Sequence, residues 1–165
     1  VDVVDPSGLV RSQAIENDDG TLRITLNGAE NRRTLAGHFL AEQFGSAVQH
    51  LAFACDDIFS TAKLLRSFGF QPLQISPNYY DDLAARFALD GAMLQALRAQ
   101  NILYDRDDAG EYFQLYSPNY RAGFFFEIVE RRGAYKGYGA ANAQFRIAAQ
   151  KRTLPGRGMP GTPQS

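Results

Sequence analysis

Phe124-Phe125-Phe126-Glu127-Ile128-Val129 is the stretch on which the reading of this chain turns. Aromatic and β-branched residues dominate it, as in a buried strand. One carboxylate stands inside it. Side chains alternate along a strand, so Glu127 shares a face with Phe125 and Val129. A carboxylate in such company is paired, hydrogen-bonded or bound to a metal. A salt bridge to Arg86 or Arg106 is one reading, and a ligand role is the other. The ligand role requires a donor on a neighbouring strand facing the same way. Val48 to Ala54 reads as such a strand, with Val48, His50, Ala52 and Ala54 on one face and Gln49, Leu51 and Phe53 on the other. Small residues beside His50 leave room for a ligand. A core histidine bonded to backbone is the plainer alternative.

Between these two strands the pattern predicts several elements. Asp56 or Asp57 caps a helix whose buried face is Ile58, Ala62, Leu65 and Phe68. Phe70 to Ile75 reads as a strand, and Asn78 to Phe87 and Gly91 to Ala99 as short helices. Ile102 to Tyr104 and Tyr112 to Tyr116 read as strands joined through Asp107-Asp108-Ala109-Gly110. Gln114 lies on the Tyr112–Tyr116 face, where an amide can both donate and accept. The dense clusters Asn78 to Asp82 and Tyr104 to Asp107 are expected to tie the 76–100 excursion to the sheet edge.

Ahead of residue 48, Leu9 to Ile15 and Leu22 to Leu26 read as two strands turning at Asn17-Asp18-Asp19-Gly20. A helix over 34–44 follows. Ser12 and Asn27 on these strands are candidate polar groups for the same cavity. His38 reads as part of the helix surface or a packing seam. This front part has the order of the back half of a strand-helix-three-strand unit. A full unit needs a strand, a helix and a strand upstream of Val1. Without an initiator Met, the chain is expected to begin inside a longer polypeptide.

The remaining features exclude more than they assign. Lys+Arg 17 against Asp+Glu 18 leaves no broad basic field for nucleic acid. No 18-residue apolar run exists to span a membrane. Cys55, the single cysteine, forms no internal disulfide, which points to a cytoplasmic setting. Asp56 and Asp57 beside it oppose a nucleophilic thiolate. Gly133, Gly137 and Gly139 do not make a nucleotide loop. Residues 151–165 are Pro/Gly-rich and read as a tail.

Taken together, these motifs resemble the 4-hydroxyphenylpyruvate dioxygenases. Val48-Gln49-His50-Leu51-Ala52-Phe53 resembles their second-histidine strand. Phe124 to Arg131 resembles their ligand-glutamate strand. Pro77 to Tyr80, Ile102 to Asp107 and Glu111 to Tyr116 follow the same family in the same order. Arg11-Ser12 and Leu26-Asn27 are similar to earlier strands that carry a serine and an asparagine near the substrate.

The resemblance implies an α+β vicinal-oxygen-chelate fold of βαβββ units. Residues 1–47 would be the back half of a first unit with its linking helix. Residues 48–150 would be a complete second unit. It further implies His50 and Glu127 as ligands to Fe(II), or another divalent metal, in a two-histidine-one-carboxylate site. Gln114, Ser12 and Asn27 would line that site. The missing first histidine would come from the upstream part of the same polypeptide, so this chain alone is expected to be inactive. The implied reaction joins a small 2-oxo acid with O₂ to give homogentisate and CO₂. The C-terminal stretch from Gly137 to Gln150 is instead similar to the dioxygenase-like domain of bacterial 3-dehydroshikimate dehydratases, where dehydration belongs to a separate barrel. A domain that binds a small or aromatic acid, or mediates assembly without turnover, is the third alternative. Exposed sheet edges would allow a homo-oligomer.

Overall fold

Pairing partners sort the strands into two sheets. The computed structural model describes residues 2–5 and 7–153. Strands β1 (Asp2–Asp5), β2 (Gly8–Glu16) and β3 (Arg23–Ala29) form an antiparallel sheet in chain order. The β2–β3 turn is held by Asn17, whose Oδ1 accepts from the Leu22 N–H at 2.9 Å. Gly20 supplies the left-handed conformation there, at φ +68°. Helix α1 (Leu35–Glu42) starts at Thr34, whose buried hydroxyl accepts from the Gly37 N–H at 3.0 Å. That bond satisfies one of the open donors of the first turn.

The second sheet is mixed and has the order β4-β7-β6-β5. It is built from β4 (His50–Ala54), β5 (Leu103–Arg106), β6 (Gly110–Tyr116) and β7 (Phe125–Gly133). β4 runs parallel to β7, and the other neighbours are antiparallel. A parallel pair needs a long crossover, and helices α2 (Ile58–Ser67), α3 (Pro77–Arg86) and α4 (Gly91–Gln100) lie within it. Asp57 caps α2 by accepting from the Phe59 and Ser60 N–H groups. Helix α5 (Ala140–Thr153) follows β7 and packs on both β1 and β5.

The core lies between the second sheet and helices α2 to α4. Phe113 meets Phe59 of α2 and Tyr104 of β5, with ring centroids 6.0 and 5.1 Å apart. Ile58, Leu73, Leu83, Leu97 and Leu115 fill the space around them. Tyr79 accepts from the Tyr104 N–H at 2.7 Å, which ties the helical excursion to the sheet edge as its polar-aromatic cluster predicts.

Several expectations need correction. The front part has three strands, because Asp2–Asp5 pairs with β2 through Asp5↔Gly8 and the pairs beyond it. Phe70 to Ile75 is not a strand. Its partner β6 is already flanked by β7 and β5, so only the Leu73 N–H reaches it, bonding Tyr116 O at 2.7 Å. Pro72 has no N–H to offer. The first strand of the second sheet begins at His50, not Val48. Residues 151–153 belong to α5, and the rest of the expected tail, 154–165, lies outside the described residues.

Candidate metal centre

β7 carries Glu127 into the protein between Phe125 and Val129, and the residue is 6% exposed. Its two oxygens have different partners. Oε1 accepts from Gln114 Nε2 at 2.9 Å and from the Tyr116 hydroxyl at 2.8 Å. Oε2 faces His50 Nε2 at 3.6 Å. Register explains the meeting: His50 pairs with Phe125 and Tyr116 with Glu127, so His50, Glu127, Gln114 and Tyr116 share one face. The Phe125 ring stacks on His50, 4.8 Å between centroids and 7° from parallel, and fixes the imidazole plane.

A second tier of hydrogen bonds orients the first. Gln114 Oε1 accepts from Asn142 Nδ2 at 2.9 Å. The Tyr79 hydroxyl lies 3.0 Å from Asn142 Oδ1. With its oxygen engaged by Asn142, the Gln114 amide turns its NH₂ toward Glu127. Gly139 makes this approach possible. A Cβ at that position would stand 2.3 Å from Gln114 Oε1.

The electrostatics suit a neutral nitrogen donor beside an anion. Burial pushes the His50 pKa below its ordinary value, Glu127 opposes this, and Arg146 adds to it. Burial and the Glu127 charge push the Tyr116 hydroxyl well up, so it stays protonated and donates. One imidazole nitrogen and one carboxylate oxygen form an N/O donor set of the kind Fe(II) takes. An ion with bonds of about 2.1 Å spans their separation. These residues fit two positions of a three-ligand site. Among the described residues no group of three or more His, Cys, Asp or Glu converges to complete it. His38 lies in α1, lining a different cleft beside Glu42.

Neither expected arginine pairs with Glu127. Arg86 reaches Asp82 and Asp105, and the Arg106 guanidinium sits over the Phe87 ring. Ser12 and Asn27 oppose one another across β2 and β3, and the Ser12 hydroxyl donates to Asn27 Oδ1 at 2.6 Å. Asn27 lines a cleft with Gln49 and Arg146. Burial raises the Cys55 pKa, and the Glu130, Asp57 and Asp56 charges add to the rise. Sequence reading missed Tyr116, Asn142 and Arg146. Tyr116 was accessible to it, two residues from Gln114 on the same strand face.

This arrangement can be compared with known proteins. No family model matches the chain. A solved xylose isomerase-like TIM barrel/4-hydroxyphenylpyruvate dioxygenase fusion protein superposes with a TM-score of 0.77 at 46% identity. The match covers 94% of this chain and 25% of that one. The fold is that of the vicinal-oxygen-chelate dioxygenases: a mixed sheet with flanking helices. The 3-dehydroshikimate dehydratase of Pseudomonas putida is 48% identical over 153 residues, which is 92% of this chain and 24% of the relative. The 4-hydroxyphenylpyruvate dioxygenase of Pseudomonas aeruginosa is 32% identical over 79% of this chain and 37% of its own length. Within the fold class, the chain is therefore homologous to 4-hydroxyphenylpyruvate dioxygenases and to the C-terminal dioxygenase-like domain of 3-dehydroshikimate dehydratases. It spans about a quarter of the dehydratase and under half of the dioxygenase. Among the described residues no helix is long and apolar enough to cross a membrane.

Proposed function

We propose that this chain is the dioxygenase-like domain of a bifunctional protein similar to the 3-dehydroshikimate dehydratases. The carrying observation is the 48% identity over 92% of the chain, against 32% for the dioxygenase relative. In this reading dehydration takes place in a separate upstream barrel, and the present domain is a metal site for a small 2-oxo or aromatic acid. β1 to β3 are the closing strands of a first βαβββ unit, and β4 to β7 with α2 are the second. The upstream part of the polypeptide supplies the missing elements and the third ligand.

His50 and Glu127 would hold a divalent metal, Fe(II) by kinship. When bound, such an ion polarises a chelated oxygen and leaves positions open for a second ligand. The protein groups have their own tasks. His50 offers a neutral nitrogen, and Phe125 holds its ring in plane. Gln114 and Tyr116 hold Glu127 in place through Oε1, which leaves Oε2 toward His50. Tyr112 and Val129 on the same face keep water away.

The test uses the whole protein, purified anaerobically and supplied with Fe(II). O₂ uptake with 4-hydroxyphenylpyruvate is followed beside 3-dehydroshikimate dehydration. Dehydration that survives H50A and E127A, with metal binding to this domain lost in both, supports the proposal. Loss of dehydration in both would overturn the assignment of that chemistry to another domain. Metal-dependent O₂ uptake abolished by both substitutions would favour the oxygenase reading, which the His50–Glu127 pair itself makes worth testing.

A further inference from the structure

Arg146 stands beside the candidate metal centre with no ion-pair partner among the described residues. It projects from α5, and its guanidinium lies 5.3 Å from the Phe125 ring centroid and 5.5 Å from that of Tyr116. These are the two rings that hold the pair: Phe125 stacks on His50, and Tyr116 donates to Glu127. Among the described residues Arg146 makes one hydrogen bond, from Nη1 to the neutral Gln150 Oε1 at 2.7 Å, and no ion pair. A guanidinium has five N–H donors, so most remain available.

Arg146 also lines a cleft with Asn27 and Gln49. Among the described residues one carboxylate, Asp5, borders that cleft, and it is already committed. Asp5 accepts from the Leu35 and Ser7 N–H groups and from Lys151 Nζ. A guanidinium stacked on aromatic faces is held in orientation while its edge stays free to meet a planar anion in fork geometry.

We infer that Arg146 is a specificity-determining residue of this site, selecting ligands that carry a carboxylate remote from their metal-binding end. The inference rests on the metal-site reading for the position of the other end of the ligand. A charge-assisted pair in such a setting is worth roughly ten- to a hundredfold in affinity.

The test is calorimetric binding to the whole protein loaded anaerobically with Co(II). The probes are 2-oxoglutarate, which has a distal carboxylate, and 2-oxopentanoate, which lacks it. Wild type is expected to bind the diacid at least about tenfold more tightly. R146M keeps the stem that covers both rings and should bind the two acids equally. R146K should retain part of the preference. A preference that persists in R146M, or is absent from wild type, overturns the inference. The metal reading is judged separately: Co(II) uptake unaffected by H50Q and E127Q overturns that reading alone. The Arg146 assignment then stands or falls on glutarate against pentanoate in the metal-free protein, scored in the same way.

Discussion

The two sheets are made of similar strands and meet opposite fates. In β2 and β3, Leu9, Ile15, Ile24 and Leu26 are 47 to 53% exposed. In β5 and β6, Leu103, Tyr104, Phe113 and Leu115 are at most 1% exposed. Strand composition does not account for the contrast. Helices α2 to α4 lie on the second sheet, whereas α1 and α5 cover the first only in part. A sheet face is buried when another layer is supplied to it. β4 makes the same point within the covered sheet: as an edge strand it leaves Leu51 46% and Phe53 52% exposed.

The largest test of the contrast is a pair of truncations. Phe113→Ala should cost about 3–5 kcal/mol in urea unfolding of this chain. Leu26→Ala should cost at most about 0.5 kcal/mol. Equal costs would break the comparison. In the whole protein a Leu26→Ala cost of about 2–5 kcal/mol would show that an upstream segment covers β3.

The second test concerns the site. Gln114→Leu removes a donor from Glu127 and should weaken Co(II) binding by about 10–100-fold in a spectroscopic titration. Asn27→Ala, on the exposed sheet, should leave it unchanged. An equal loss in both would place the two sheets on the same footing at the metal.

The third test probes the seam between the sheets. Burial alone would raise the Asp5 pKa, but the Leu35 N–H, Lys151 and the Ser7 N–H together hold it below the usual 3.8. A carboxylate with a depressed folded pKa stabilises the fold above its unfolded pKa, and loses that contribution as the pH falls through its folded pKa. Thermal melts of wild type should therefore lose stability below about pH 4 relative to their own neutral-pH value. D5N should be less stable than wild type at neutral pH, and the gap should close in acid. A modest loss, about 1 kcal/mol from the lost α1 cap, is expected for Thr34→Ala, read by urea unfolding.

The sequence was most informative where an apolar strand carries one polar residue. Glu127 within Phe124–Val129 and His50 within Val48–Ala54 stand out because alternation makes each a polar group on a buried or crowded face. β1 escaped notice because Asp2-Val3-Val4-Asp5 is short and acid at both ends. Helix α5 escaped because its buried positions include Asn142 and Gln150, so no apolar period marks it. For the same reason Arg146 and Asn142 were invisible as site residues. Their role depends on α5 folding back across the sheet, a long-range event that no local pattern encodes. Phe70 to Ile75 misled in the other direction: its apolar run buries Leu73 and Ile75 against the helices without strand pairing.

Lys151 donates to Asp5 at 2.8 Å and to Ser7 at 3.1 Å, joining residues 146 and 144 positions apart. During synthesis the first sheet leaves the ribosome long before its anchor does. It must wait, half-covered and with apolar strands exposed, until α5 arrives. Closing so long a loop adds entropy cost early and returns the contact late, the pattern associated with slow folding and aggregation-prone intermediates. The order of translation thus makes the first sheet the earliest part of the domain to be synthesised and the last to be tied down.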